Sequence, residues 1–265
     1  MTEQRTRLAF ENVSVAFDTP KGRLQVAENV SYDVRDGEFL SLIGPSGCGK
    51  TTMLNMAAGF LQPSSGRVTL DGAPIKGPGP DRGVIFQEYG VFPWLTVRQN
   101  IEFGLTLAAN RAGAAEREET SRRYMELMGL SAFADAWPRT LSGGMRQRLA
   151  LARAYAVRPQ VLLMDEPFGA LDAQTRTVLQ EEVSRLRRVM NYTVMFITHS
   201  VEEAVYLGDR VVIMSSRPGR IKQVITVPRD AEWRGLEIEE ASSHASFIEV
   251  KRAIWELIRA EIVRQ

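Results

Sequence analysis

The chain has 265 residues, and its 33 lysines and arginines almost balance 32 aspartates and glutamates, leaving a formal charge of +1. That balance provides no global field to attract a polyanion, so we expect no nucleic-acid partner. A hydrophobic content of 44% excludes wholesale disorder, and the single cysteine, Cys48, excludes an internal disulfide or zinc cluster, so a cytosolic setting fits.

The sequence contains no segment that is typical of membrane insertion. Its N-terminal residues lack the apolar core of a secretory signal, and no run of about 18 apolar residues occurs along the chain. We therefore expect that the chain does not cross a membrane itself, and that any membrane role depends on a partner.

Predicted strands alternate with predicted helices along much of the chain. Alternating apolar and polar residues predict half-exposed strands at 8–17 and 29–34, followed by a buried strand at 38–43 and a helix at 51–60. Further short β-type runs lie at 68–70, 83–86, 161–164, 193–197 and 210–214. This order predicts an α/β fold with a mostly parallel sheet, helices on its faces and an antiparallel β edge at the N-terminus.

Two segments differ from this alternation. Residues 97–156 lack β-type runs and carry helix formers, as at 116–128, which predicts a helical subdomain at about 88–156 inserted into the sheet domain. After Pro218-Gly219 come a β-like run at 221–227, a polar loop and a helix at 247–263. We predict one domain at 6–220 and a C-terminal extension at 221–265 that carries no recognisable motif.

The most specific motif is GPSGCGKT at 44–51, which matches GxxxxGK[ST] between a predicted strand and a predicted helix. Glycines let successive backbone N–H groups point inward, and the helix N-terminus adds partial positive charge, so the loop can hold phosphates. Lys50 is expected to reach the β- and γ-phosphates and Thr51 to ligate Mg²⁺; the alternative is a plain glycine-rich turn. The residues assigned to nucleotide binding here are Gly44, Pro45, Ser46, Gly47, Cys48, Gly49, Lys50, Thr51 and Thr52.

A second motif is the apolar run 161–164 followed by Asp165 and Glu166. An acid at the carboxyl end of a parallel strand faces the same crevice as the phosphate loop. Asp165 is therefore expected to hold Mg²⁺, and Glu166 to polarise an attacking water. The alternative is a strand that ends at solvent with two surface acids.

A third motif, Leu141 to Gln147, reads LSGGMRQ and opens a predicted helix. Ser142 is a good N-cap, and Gly143 and Gly144 expose backbone N–H groups that suit an anion. Taken alone, the pattern favours a simple helix cap.

The order of these motifs resembles that of the ATP-binding-cassette ATPases over about residues 8–220. The resemblance implies that Phe17 stacks on adenine, that Gln87 is the glutamine-loop residue near nucleotide and metal, and that His199 is the switch histidine. It also implies a homodimer, in which Ser142, Gly143 and Gly144 of one copy close over the nucleotide held by the other. The catalytic residues would be Glu166, His199 and Lys50, with ATP and Mg²⁺ as cofactors. One departure is Met145, which stands where the family usually has glutamine.

Further segments, including 77–83 and 215–220, resemble the importer ATPases of the nitrate, sulfonate and taurine group. This implies an ATPase subunit at the cytoplasmic face of the inner membrane, partnered by permease subunits and indirectly by an extracytoplasmic solute-binding protein. The alternatives are a soluble cassette ATPase of DNA repair or translation and a non-hydrolytic regulator. Tyr89, Phe92 and Trp94 are expected to dock the permease, although any one of them could instead be a core residue.

Overall fold

The computed structural model describes residues 5–20 and 22–262, which form two compact units. The first unit joins the residues before Gly79 to those from Gln180 onward, and the second comprises Gly79–Leu179. The described strands are β1 (Thr6–Thr19), β2 (Gly22–Arg35), β3 (Phe39–Ile43), β4 (Ser65–Leu70), β5 (Ala73–Pro74), β6 (Arg82–Ile85), β7 (Val161–Asp165), β8 (Thr193–Ile197), β9 (Arg210–Met214) and β10 (Ile221–Thr226). The described α-helices are α1 (Lys50–Ala58), α2 (Val97–Thr106), α3 (Ala114–Leu127), α4 (Gly143–Ala156), α5 (Ala173–Met190), α6 (Val201–Leu207), α7 (Ile238–Ser243) and α8 (Ala245–Ile262).

The N-terminal strands of the first unit form an antiparallel sheet in the order β2-β1-β4-β5. Phe10 lies opposite Tyr32 on β2 and Val68 on β4, and the rings of Phe10 and Tyr32 stack with centroids 4.4 Å apart. The predicted antiparallel edge is therefore confirmed. The strand predicted at 29–34 begins earlier, at Gly22, because its ladder with β1 continues as far as the pair Thr19 and Gly22.

A second set of strands in the first unit follows the order β10-β9-β3-β8. Strand β3 is parallel to both β8 and β9, and β10 is antiparallel to β9. All five residues of β3 and all five of β8 are buried, which explains why these strands are continuous apolar runs rather than alternating ones. The C-terminal segment is part of this unit, since β10 pairs with β9 and α8 packs on α6.

The second unit combines a parallel strand pair with a helical bundle. Strand β6 pairs with β7, with Gly83 opposite Leu162, while α2, α3 and α4 pack on one another. Helix α2 starts at a capping box, in which Thr96 and Gln99 satisfy each other's backbone N–H groups. The interleaved strands and helices of the two units agree with the predicted α/β class.

The helix boundaries depend on contacts as well as on local sequence. The helix predicted at 51–60 is α1, which ends at Gly59 in the left-handed region (φ 81°), where an added Cβ would lie 2.2 Å from the Gly77 carbonyl oxygen. The helix predicted at 247–263 is α8; Val263 lies outside the described residues. Helix α7 occupies part of the segment expected to be a polar loop, because Ile238 and Ala241 are buried. No helix in the described part of the chain has the length and apolar character to span a bilayer.

Candidate functional site

The glycine-rich loop of the first unit connects β3 to α1 and has a backbone that requires glycine. Gly47 (φ 75°) and Gly49 (φ 101°) lie in the left-handed region, which residues with a Cβ rarely adopt. Gly49 is the N-cap of α1 and supplies no side-chain acceptor, so no side-chain cap occupies the N–H groups of the first turn. A helix start of this kind presents its amides and its partial positive charge to an anion.

Lys50 is the first residue of α1, and its side chain folds back along the loop. Its Nζ donates to the carbonyl oxygens of Gly44 at 2.8 Å and Pro45 at 3.1 Å, and the residue is buried. Nζ also lies 3.8 Å from the sulfur of Cys48, whose burial raises the pKa of its thiol. Cys48 is thus packed beneath the lysine, a contact that the sequence did not indicate.

The backbone of two other segments of the first unit packs behind the phosphate loop. The Gly219 N–H donates to Val26 O, and Gly219 O accepts from the Glu28 N–H, both at 2.9 Å. A Cβ added to Gly219 would lie 2.0 Å from Cys48 O, so the two backbones are in close contact. The position of the phosphate loop therefore depends on a glycine about 170 residues further along the chain.

The C-terminal helix anchors the segment that carries Gly219. Arg217 donates from Nε and Nη2 to Gly47 O at 3.2 and 3.1 Å. The neighbouring Ser216 donates from its N–H and its hydroxyl to Glu261 Oε2 at 3.0 and 3.2 Å, and Lys222 donates to Oε1 at 2.8 Å. The Lys222 hydrogen bond, followed by the Ser216 N–H, lowers the pKa of Glu261. Sequence reasoning missed these contacts, because a carboxylate on an amphipathic helix gives no local signal of its partner.

His199 is exposed and lies just after β8, on a short loop whose neighbouring residues are held by hydrogen bonds. The Thr198 hydroxyl donates to the buried Glu203 carboxylate and accepts from the Ser200 N–H at 3.0 Å. Gln180 Nε2 donates to the other Glu203 oxygen at 2.8 Å, and Ser200 caps α6 by accepting from the Glu203 N–H at 3.3 Å. The network holds the backbone on both sides of His199.

Phe17 lies near the end of β1, opposite Leu24 on β2. Its side chain is 39% exposed, so part of the ring is open to solvent. An exposed aromatic face can stack on a planar base. The first unit thus contains Phe17, the phosphate loop and His199.

The predicted acids lie in the second unit, where β7 ends. Asp165 is the last residue of β7, and Glu166 follows in the left-handed region (φ 45°), a conformation that non-glycine residues adopt mainly where the surroundings impose it. The Gly169 N–H donates to Glu166 O at 3.0 Å. Gln87 Nε2 would lie 3.6 Å from a Cβ on Gly169, so the Gln87 amide lies beside the turn that follows the two acids.

The Ser-Gly-Gly segment of the second unit opens α4. Ser142 caps the helix by accepting from the Met145 N–H at 3.3 Å. Side chains surround the two glycines: an added Cβ would lie 3.2 Å from the Tyr89 hydroxyl at Gly143 and 2.4 Å from a Thr175 methyl at Gly144. Met145 and Thr175 also line a cleft of about 280 Å³ between α4 and α5.

Three aromatic side chains, Phe92, Trp94 and Phe103, form a cluster on the second unit. The Phe92 ring lies 5.5 Å from Trp94 and 4.6 Å from Phe103, centroid to centroid, and the Arg153 guanidinium lies 4.7 Å from its centre. Trp94 is 66% exposed and Phe103 36%. Tyr89, the remaining predicted docking residue, is half-buried beside Gly143, with Arg146 over its ring.

The chain is similar in sequence to a known family and to several named proteins. A family model described as "ABC transporter" matches residues 27–169. An ATP-binding protein of Brucella abortus (strain 2308) is 48% identical over 258 residues, covering 96% of this chain and 94% of that protein. The taurine import ATP-binding protein of Jannaschia sp. (strain CCS1) is 42% identical and covers 96% of this chain and 94% of its own length. For the nitrate import ATP-binding protein of Synechocystis sp. (strain ATCC 27184 / PCC 6803 / Kazusa) the identity is 41%, with 95% of each covered.

A solved structure with a similar fold is the dimeric, post-hydrolysis state of an ATP-binding cassette bound to ADP and Pi. It matches with a TM-score of 0.73 and 29% identity, and covers 83% of this chain and 99% of its own. This likeness confirms the predicted α/β phosphate-loop fold.

Proposed function

The chain belongs to the ABC transporter family and is an ATPase cassette of the importer type, and on that premise we propose that it drives uptake of a small solute, an anion such as a sulfonate, taurine or nitrate. Two relatives that align with at least 95% of this chain are named for taurine and nitrate import, which supports this solute class.

The observation that carries the nucleotide-binding role is the geometry of the phosphate loop. Glycines in the left-handed region, a start of α1 without a side-chain cap, and a buried Lys50 ammonium together make a site for the phosphates of ATP. On binding, Lys50 would exchange its bonds to Gly44 and Pro45 for charge-assisted bonds to phosphate oxygens. Phe17 would stack on the adenine.

The residues assigned to Mg²⁺ offer the donor atoms that this ion prefers. Thr51 supplies a hydroxyl, Gln87 an amide oxygen and Asp165 a carboxylate, all oxygen ligands of the kind that hold Mg²⁺ together with substrate phosphates. When bound, the ion would neutralise charge on the β- and γ-phosphates.

For hydrolysis, we assign the proton transfer to Glu166. Its carboxylate would accept a proton from the water that attacks the γ-phosphate in line. Lys50 would stabilise the negative charge that spreads over the phosphoryl oxygens. His199 would contact the γ-phosphate from a loop that the Glu203 network holds in place.

We further propose a homodimer, in which the start of α4 in one copy closes over the nucleotide of the other. Exposed Ser142 and the amides of Gly143 and Gly144 are the groups that would contact phosphate. Met145 has no amide to donate, so side-chain contact there would be weaker than with glutamine. The dimeric state of the similar cassette bound to ADP and Pi supports this arrangement.

Tyr89, Phe92 and Trp94 are our proposed docking residues for a permease subunit at the cytoplasmic face of the inner membrane. Aromatic side chains such as the exposed Trp94 are frequent anchors at protein interfaces. Tyr89 and Phe92 follow Gln87 in the chain, so docking could report the nucleotide state. The extracytoplasmic solute-binding protein would act only through the permease.

Replacement Glu166→Gln tests the catalytic assignment. The amide keeps the size of the side chain but cannot accept the proton, so we expect kcat to fall by about 10²- to 10⁴-fold with ATP affinity retained. Steady-state hydrolysis and nucleotide titration measure the two quantities. The control is Glu119→Gln, which makes the same charge change at an exposed site on α3. A kcat within a few-fold of wild type would remove Glu166 from this role.

Purification from membranes tests the importer assignment. We expect the chain to co-purify with integral-membrane subunits, which mass spectrometry would identify. Recovery with only soluble proteins or nucleic acid would contradict the transporter role and favour a cassette ATPase of DNA repair or translation.

A further inference from the structure

The first unit contains a cavity of about 250 Å³ that none of the nucleotide motifs explains. Its lining includes four arginines, Arg187, Arg188, Arg229 and Arg234, and a single carboxylate, Asp209. Glu181 and Glu237, whose charges act on the lining residue Tyr206, are the further acids near the cavity. Four guanidinium groups and one acid in the lining itself leave an excess of positive charge at the cavity wall, and an anion would neutralise it.

Asp209 is already shared between two of these arginines. Its side chain is 4% exposed and accepts from Arg187, from Arg229 Nε at 3.1 Å and from the Phe39 N–H at 3.0 Å. The carboxylate therefore compensates no more than part of the charge of Arg187 and Arg229.

Arg234 bonds neutral groups. It donates to the carbonyl oxygens of Tyr206 at 3.2 Å, Gly208 at 2.6 Å and Pro228 at 3.2 Å, none of which carries a formal charge. Burial, reinforced by the nearby positive charges, lowers the pKa of Arg234 to about 10. Its guanidinium also lies over the Trp233 ring, 4.6 Å from the centroid. A half-buried cation without a carboxylate of its own is a costly arrangement that a bound anion relieves.

Arg188 is the most informative residue of the four. It is exposed, and among residues 5–20 and 22–262 its side chain makes no hydrogen bond or ion pair. Its Nη1 lies 1.9 Å from where a Cβ on Gly235 would be, so the guanidinium passes directly over that glycine at the cavity wall. The left-handed Gly235 (φ 95°) leaves room for this approach.

We propose that this arginine cavity binds a small multivalent oxyanion, of the phosphate or sulfate type, at a site separate from the phosphate loop. Guanidinium groups present paired N–H donors that match the oxygens of such anions. A cavity of about 250 Å³ accommodates one oxyanion with several ordered waters, each of which takes about 30 Å³.

A purely structural role explains only part of the cluster. Arg187 and Arg234 donate to carbonyls at the C-terminal end of α6, where helix carbonyls lack partners, and this suffices for those two residues. It does not explain why Arg188 lies over Gly235 without a partner of its own among the described residues. The test therefore centres on Arg188.

The experiment titrates inorganic phosphate into the full chain by isothermal calorimetry. A non-hydrolysable ATP analogue and Mg²⁺ fill the nucleotide site, and NaCl keeps the ionic strength constant. We expect one phosphate per chain, with a Kd raised at least about tenfold in Arg188→Ala, because a charge-assisted hydrogen bond is lost. Arg229→Ala should weaken binding as well.

The matched control is Arg185→Ala, which removes the same charge from an exposed position one turn earlier on α5 and outside the cavity lining. It should leave the phosphate Kd within about twofold of wild type. Equal weakening in Arg185→Ala and Arg188→Ala would reduce the effect to general surface charge and overturn the proposal. Absence of phosphate binding to the wild-type chain would overturn it too.

Discussion

At Cys48, the loop at the start of α1 is backed by main chain, with the Arg217 side chain on Gly47 beside it, whereas the segment at the start of α4 is backed by side chains alone at its two glycines. Gly219 lies against the Cys48 carbonyl in the first case, and a Thr175 methyl lies against Gly144 in the second. Both helices start at glycine-rich segments, but only α4 has a side-chain cap, from Ser142.

The kind of contact behind each glycine-rich segment affects how easily that segment can change shape. Backbone contacts cannot adjust by changing rotamer, so the phosphate loop is held in one shape that suits a ligand of fixed geometry. Side chains can move by rotation, so the start of α4 can adapt when a second copy approaches. We infer that the phosphate loop binds the nucleotide and that the start of α4 closes over the nucleotide of a second copy. Four substitutions test this contrast.

The largest effect is expected from Ser142→Arg. Arginine at this exposed position adds bulk and charge where a second copy would close, so we expect hydrolysis to fall about a hundredfold, with nucleotide binding to the chain's own loop retained. ATPase assays and nucleotide titration separate the two. Ser142→Ala, which removes the cap at a cost of about 1 kcal/mol, is the control for helix stability. Normal hydrolysis by Ser142→Arg would contradict closure at α4.

Gly219→Ala should affect the phosphate loop at the start of α1. The added Cβ would lie 2.0 Å from Cys48 O, so the phosphate loop and the segment that carries Gly219 must move apart. We expect ATP affinity to fall about tenfold and unfolding free energy by about 1–3 kcal/mol, as for overpacked sites. Gly77→Ala, whose Cβ meets nothing within 4 Å, is the matched control. Unchanged affinity in both variants would show that the loop tolerates displacement.

Glu261→Gln tests the anchor that α8 provides. Losing the charged acceptor of Lys222 and Ser216 should lower the unfolding free energy by about 1–2 kcal/mol at pH 7. The folded pKa of Glu261 lies below its ordinary 4.5, so its ionised form stabilises the fold above that pH and loses this effect as pH falls through the folded value. Urea unfolding should therefore show a difference between wild type and variant that shrinks under acidic conditions. A difference independent of pH would exclude the ionised form as its cause.

The smallest effect is expected from Met145→Gln. Glutamine restores a donor at the start of α4, but Met145 is only one of several residues lining the cleft beside Thr175. We expect the hydrolysis rate to rise no more than about threefold. Loss of activity would instead show that the methionine packs in a way that glutamine cannot reproduce.

Much of the fold was predictable because its signals are local. Buried strands such as β8 and β9 appear as short apolar runs with the observed bounds, and the parallel pairing follows from their alternation with helices. The less visible elements are those without an apolar run of their own. Helix α7 has only six residues, and β2 begins at Gly22 because its pairing with β1 extends beyond the short alternating segment at 29–34.

The sequence by itself determined the phosphate loop, because glycine backbone freedom and the following helix start are properties of consecutive residues. Only the tertiary structure decided what holds that loop, since Gly219, Arg217 and the Glu261 anchor come from far along the chain. The arginine cavity has the same origin: its arginines lie on α5 and beyond β10, and their charges meet only when the chain has folded. A site built from consecutive residues can be predicted from the sequence, whereas side chains far apart in the chain acquire their partners only when the fold packs them together.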